Sequence, residues 1–154
     1  PMTSQEALRR YNQQIKREDD LYRQAARRLD LPEATLWILY ALRDTEEQLT
    51  QKDLTGAMLQ SKQSVNSALK RMEADGLVVL TPDPENRTRK YICLTDAGEA
   101  LAQRTVDRLR AAELAAMDAF SQEECECFLS LYAKWNKMLS ATLDEQLAEG
   151  EPHL

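Results

Sequence analysis

Four side chains near the middle of this chain have the types and spacing to do chemistry at a surface: Gln63, Asn66, Ser67 and Lys70. Three and four positions apart, they fall along one side of any helix that contains them, at about 100° per residue. Together they offer two amides, a hydroxyl and an ammonium, with no carboxylate until Glu73. An amide can pair in bidentate fashion with adenine, and the hydroxyl and ammonium suit base edges or phosphates. The plainer reading of the same face is a solvated helix surface.

Catalytic chemistry has far less support. The single histidine is His153, near the end of an acidic tail, so neither a Ser–His nor a Cys–His pair has a base to work with. Four glycines are too few, and too scattered, for a phosphate-cradling loop. Cys125 and Cys127 stand two apart, which on a helix points them about 200° from each other and keeps them from sharing a metal ion. Cys93 sits in a strand-like segment, where a small space-filling side chain is the plainer reading and oxidant sensing the alternative. The expectation is a protein that is not an enzyme, with no catalytic residues, no metal site and no cofactor.

The four surface residues need a helix to hold them, and Ser61 to Asp75 reads as one. Ser61 is a good N-cap, and Val65, Ala68, Leu69 and Met72 make an apolar stripe facing away from Gln63, Ser67 and Lys70. Gly76 stands where a left-handed residue closes a helix. Before this helix, Thr50 caps a shorter one over Gln51 to Met58, with Asp53 completing a capping box. After it come two strand-like runs, Leu77 to Thr81 and Thr88 to Leu94. They are separated by the proline-rich Pro82-Asp83-Pro84-Glu85-Asn86-Arg87, too long for a tight turn. The order is helix, turn, helix, hairpin with a projecting tip.

In the order LTQKDL, SKQSVNSALKRMEADGLV and PDPENRTRKYICLTDAGEAL, the chain resembles the MarR (multiple antibiotic resistance regulator) family of bacterial transcription regulators. The resemblance extends to the helices on both sides, and Leu94-Thr95-Asp96 with Gly98 is among its more specific parts. It implies a mainly α fold with a small β-hairpin wing, a winged helix-turn-helix with flanking long helices that form a dimerisation lobe. It also implies a homodimeric regulator of double-stranded DNA with a pseudo-palindromic operator, a repressor relieved by a small-molecule effector. The family wing usually carries Asp, any residue, then Arg; those positions hold Asn86 and Thr88 here, leaving Arg87 or Arg89 to supply the wing arginine. Phosphate contacts are then expected from Thr50, Ser61, Lys62, Arg87 and Arg89, and base contacts from Gln63, Asn66, Ser67 and Lys70. The family's effector pocket lies where the two lobes meet, and Tyr11, Tyr22, Trp37 and Tyr40 are in segments that meet there; core packing is the alternative for these aromatics.

Length and composition agree with a single subunit. The 154 residues are 43% hydrophobic and 30% charged, and no window is apolar enough for a membrane span. Pro1 stands before Met2 and is left out, so the subunit is read over 2–154. No secretory signal is visible at the N-terminus, and three cysteines without scaffold spacing fit a reducing cytoplasm. The net charge of −6 runs against a nucleic-acid partner, but Ser61 to Ile92 carries six basic against four acidic side chains, while the last fourteen residues carry no Lys or Arg. This balance keeps open a second function class, a winged-helix module for protein–protein interaction without specific DNA binding.

The remaining helices read as Ser4 to Leu29, Glu33 to Arg43, one long helix from Asp96 to about Phe120, and a last one opened by the capping box of Ser121 and Glu124. A first helix of about 25 residues spans on the order of 37 Å, more than a small domain needs for its own core. The last one carries a broad stripe of Phe128, Leu131, Tyr132, Trp135, Met138, Leu139 and Leu143. The expected organisation is dimerisation helices at 4–30 and 96–148 around a DNA-binding lobe at 33–95.

Overall fold

The computed structural model describes residues 1–148. Seven helices and one hairpin follow in the order α1 (Ser4–Arg28), α2 (Glu33–Asp44), α3 (Gln51–Ala57), α4 (Lys62–Ala74), β1 (Val78–Pro82), β2 (Lys90–Leu94), α5 (Asp96–Arg104), α6 (Val106–Asp118) and α7 (Gln122–Gln146). Among the described residues no helix is long and apolar enough to cross a membrane. Two compact units make up the chain; the first is Pro1–Arg110 and the second starts at Ala111.

The first unit is built on α2. Leu36, Ile38 and Leu39 have no accessible surface, and around them pack Leu54 of α3, Val65, Leu69 and Met72 of α4, Val78 and Ile92 of the hairpin, and Leu101, Ala102 and Val106. Full burial of such side chains is worth about 1.5–3 kcal/mol each, so the stripe expected on α4 is the face that fixes this helix. Thr3, Thr50, Ser61, Thr95 and Ser121 cap α1, α3, α4, α5 and α7 with their hydroxyl oxygens, and Glu6, Asp53 and Glu124 complete capping boxes at three of these ends.

Helix α4 ends as its glycine requires. Gly76 lies at φ 74°, its N–H donates to Glu73 O, and the Leu77 N–H donates to Met72 O, the paired bonds of a Schellman closure. Helix α1 closes the same way with Asp30 at φ 54°, an aspartate where glycine is commoner. The hairpin is antiparallel, with Val78 opposite Leu94 and Leu80 opposite Ile92. A further bridge joins Thr50 to Tyr91.

One expected helix is two. The segment from Asp96 to Phe120 breaks at Thr105, whose backbone leaves the helical region at φ −122° and ψ −89°. The buried Thr105 hydroxyl donates to Leu101 O at 2.6 Å, while the Thr105 N–H turns to Ala102 O. A threonine hydroxyl that bonds the preceding turn competes with the backbone ladder, and no proline or glycine marks the site in the sequence.

In the second unit the rings of Phe120, Phe128 and Tyr132 stack in series, with centroids 6.5 and 6.2 Å apart. No residue of α7 is buried. Phe128, Leu129, Leu131, Met138 and Leu143 are each about half exposed.

The start of α5 is pressed against the start of the hairpin. A Cβ on Gly98 would lie 2.0 Å from the Leu77 carbonyl oxygen, a backbone atom that cannot step aside. Gly98→Ala therefore destabilises by overpacking, by about 1–3 kcal/mol or more. Gly76→Ala, with open space around it, meets only the left-handed penalty of roughly 1–2 kcal/mol. Urea titrations of the two variants should rank Gly98→Ala as the less stable; equal midpoints would remove the close-approach argument.

Candidate nucleic-acid interface

Helix α3, the start of α4 and the wing enclose an open groove of about 1300 Å³. Its cations are Lys52, Lys62, Arg89 and Lys90, against one carboxylate, Asp53. The excess of positive charge is denser here than the sequence window suggested, because the fold brings Lys52 and Lys90 beside Lys62 and Arg89. Such a concave, cationic surface matches a phosphate backbone.

Asp53 is the charge that would oppose a phosphate, and it is spoken for. The Thr50 N–H donates to its Oδ2 at 3.0 Å, and the Thr50 hydroxyl oxygen accepts from the Asp53 N–H at 3.1 Å. The hydrogen bonds from Thr50, with smaller help from Arg89 and Lys52, hold the Asp53 carboxyl below its ordinary pKa. It therefore stays ionised at neutral pH, capping α3 and neutralising part of the charge of its neighbours.

Of the residues expected to touch DNA, the groove gathers Thr50, Lys62, Asn66 and Arg89. Thr50 is buried, and its hydroxyl serves the α3 cap. Ser61 caps α4, accepting from the Ser64 N–H and donating to the Ser64 hydroxyl. Gln63, Ser67 and Lys70 are exposed on α4, and Arg87 is exposed at the wing tip, but none of these lines the groove. Asn66 is half-buried and accepts a hydrogen bond from Gln51 Nε2 at 3.0 Å.

The two wing arginines differ. Asp83, buried at the base of the wing, accepts from the Glu85 N–H at 2.9 Å and the Tyr91 hydroxyl at 3.3 Å, and Arg89 Nη1 lies 3.8 Å from it. Arg89 is thus steered by its own wing, whereas Arg87 is not. Asn86 organises the tip: its Oδ1 accepts from the Thr88 N–H and hydroxyl, and its carbonyl accepts from the Arg89 N–H. Gln51, Lys52 and Lys90 line the groove without having been named as contacts from the sequence, and Asn86 and Thr88, at the wing positions, line it too. Only the packing of α3 against the hairpin brings them together.

A second hollow, of about 350 Å³, lies between α2 and the turn joining α3 to α4. Trp37 and Tyr40 line it with Leu49, Met58 and Leu59, and Asp44 and Gln60 add polar atoms. The Oε1 of Gln60 is buried and has no hydrogen-bond partner among the described residues. Tyr22 packs on Trp37 at 5.2 Å, Trp37 on Tyr40 at 5.3 Å, and the Arg110 guanidinium sits 5.1 Å from the centre of the Tyr40 ring. Of the four aromatics expected at an effector site, Trp37 and Tyr40 line the hollow, Tyr22 backs it, and Tyr11 is not part of its lining. His153 lies outside the described residues.

Residues 29–87 match the model of the MarR family. Nothing among curated proteins matches the chain. Among solved structures, S. aureus MepR in its DNA-binding conformation is similar at 25% identity, over 92% of this chain and 99% of that one, with a TM-score of 0.64. The S. aureus MepR–DNA complex is 23% identical, with the same coverage and a TM-score of 0.59. Bordetella bronchiseptica BpsR, whose DNA binding is regulated by 6-hydroxynicotinic acid, is 23% identical over 87% of this chain and 93% of that one, with a TM-score of 0.61.

Proposed function

From a chain whose residues 29–87 match the model of the MarR family, we propose a homodimeric, sequence-specific DNA-binding transcription regulator, a repressor relieved by a small-molecule effector. The observation that carries this reading is the groove, where four cations of α3, α4 and the wing converge beside the exposed amide face of α4. MepR has been solved bound to DNA in the same fold, which supports the groove and α4 as the surface that meets the duplex. Lys62, Lys52, Lys90 and the wing arginines meet phosphates, and Gln63, Asn66, Ser67 and Lys70 face the bases.

The second unit supports dimerisation. An α-helix of 25 residues with none of them buried, and with a continuous apolar stripe, is not stable in water as a lone surface. A second copy of the chain is the occupant that also gives DNA binding its two-fold symmetry. The hollow beside Trp37 and Tyr40 is the effector site. Its aromatic walls and the unpartnered Gln60 acceptor fit a small planar compound that carries a hydroxyl or N–H donor.

Two wings and two α4 helices make on the order of 6–10 phosphate contacts, so affinity for duplex DNA should fall about 10³- to 10⁵-fold between roughly 50 and 200 mM salt. Fluorescence anisotropy at several salt concentrations measures this, and Arg87→Ala should shallow the slope by about one unit. A flat salt response would instead support a protein-interaction module.

Leu131 and Met138 are exposed in the single chain, so Leu131→Glu and Met138→Glu leave the core of the first unit intact. Sedimentation should find these variants monomeric while circular dichroism still reports a folded first unit; an unaltered dimer would place the interface elsewhere.

Effector binding is read by Trp37 fluorescence in a Trp135→Phe background, titrated with hydroxylated aromatic acids and amides. Quenching that saturates, and that Tyr40→Ala abolishes, is the expected result. No response from any such compound would reduce Trp37 and Tyr40 to core residues.

A further inference from the structure

The contact between Gln51 and Asn66 constrains what Asn66 can read. Gln51 is the first residue of α3, and its backbone is fixed three ways. The Thr50–Asp53 capping box holds the helix start, the Gln51 carbonyl accepts from the Thr55 hydroxyl at 2.9 Å, and the preceding residue bridges to Tyr91 of the wing strand. The Ile92 N–H also donates to Leu49 O at 2.9 Å, so the segment entering α3 is tied to the hairpin on both sides of Thr50. From this fixed start the Gln51 side chain reaches α4 and gives its Nε2–H to Asn66 Oδ1 at 3.0 Å. Both residues are half-buried and line the groove, so neither is a freely rotating surface amide.

An amide has a donor end and an acceptor end, and occupying one decides which end faces outward. We propose that Gln51 is a positioning residue for base recognition: by holding the Asn66 carbonyl it turns the Asn66 Nδ2–H₂ donors toward the groove, so that Asn66 selects a base edge bearing acceptors. Guanine O6 and N7 and thymine O4 are such edges in the major groove, whereas cytosine N4 is a donor and adenine offers one of each. The bidentate pairing with adenine open to an unconstrained asparagine is thereby disfavoured at this position, and Gln63, which carries no such tie, is the better candidate for it. This inference rests on the reading of α4 as the base-contacting helix.

Polarity gives the test. Gln51→Glu replaces a side chain that donates with one that, ionised, only accepts. It will bond to Asn66 Nδ2 and rotate the Asn66 carbonyl outward. Gln51→Ala releases Asn66 altogether. The full chain and each variant are used to select from a pool of duplexes with a randomised core, and the enriched sequences are then measured singly by anisotropy with all four bases at each position. Wild type should prefer guanine or thymine over cytosine by roughly five- to tenfold at one position per half-site, the size of one good base contact. Gln51→Ala should flatten that position alone, and Gln51→Glu should move its preference toward cytosine or adenine. Asn66→Ala combined with either variant should abolish the shift.

The added charge of glutamate weakens binding to every duplex alike, so a change of base preference separates repositioning from repulsion. If wild type enriches a motif and the Gln51 variants keep it, at whatever affinity, Gln51 is not a positioning residue while the DNA-binding reading stands. If wild type enriches no motif from the pool, both readings fall together. A measurement without DNA bears on the same contact: the Gln51 side-chain NH₂ protons should exchange slowly with solvent in the wild type and quickly in Asn66→Ala. Equal exchange in the two proteins would overturn the proposal.

Discussion

The carbonyl oxygen of Leu77 is the point on which the relative placement of α4 and the wing depends. It accepts the Thr95 N–H at 3.0 Å, and the adjoining Gly76 carbonyl accepts the Thr95 hydroxyl, whose oxygen in turn accepts the Gly98 N–H at 3.1 Å. One threonine thus joins the exit of α4 to the exit of β2 and caps α5. Gly98 lets the backbones come this close, since a Cβ there would occupy the place of the Leu77 oxygen. With α4 and both ends of the hairpin clamped together, the wing and the amide face of α4 keep one relative position. If the two engage one duplex, as proposed, such preorganisation raises affinity, because less freedom is lost on binding.

The second set of ties runs from the end of α2 and spans the break at Thr105. Arg43 reaches Glu99 on α5 at 2.7 Å and Asp107 on α6 at 3.1 Å, and Arg110 reaches Asp44 at 2.9 Å while covering the Tyr40 ring. The Arg43 side chain is only 23% exposed, so its pairs with Glu99 and Asp107 are screened less than fully exposed ion pairs. Asp44 and Tyr40 also line the hollow next to the α3–α4 turn, and Gln60 lies directly before the Ser61 cap of α4. A ligand seated there would touch both the anchored end of α2 and the approach to α4. It could bias α4 only to the extent that it bound alternative positions of that turn unequally.

Local signals made much of this fold legible in the sequence. The limits of α4 followed from Ser61, the 3–4 apolar spacing and Gly76, and the boxes at Thr50 and Ser121 marked helix starts that the structure reproduces. The hairpin was legible as two strands around a proline-rich tip. The break at Thr105 was not, because threonine is compatible with a helix interior: Thr142 makes the same bond to the preceding turn inside α7, which runs on unbroken. The site was less legible than the fold. Lys62, Asn66 and Arg89 could be nominated from helical face and wing position, but Lys52, Lys90 and Gln51 acquire meaning only when α3 lies against the hairpin, a long-range packing that leaves no local pattern. Arg87 and Arg89 looked alike as a pair, and the buried Asp83 separates them.

The acidity of the whole chain and the basicity of its groove are compatible because charges act over short distances in salt. At physiological ionic strength the Debye length is about 8 Å, so a phosphate in the groove senses Lys52, Lys62, Arg89 and Lys90 far more strongly than acids more than a Debye length away. Two carboxylates stand close to those cations: Asp53, which accepts the Thr50 N–H and is held ionised by it, and the buried Asp83, 3.8 Å from Arg89. The remaining acids matter at longer range and lower salt, where a net charge of −6 slows the approach of any polyanion that is not already aligned with the groove. On the proposed function, an acidic chain with a cationic groove disfavours non-specific contact elsewhere and favours docking of a duplex through the groove.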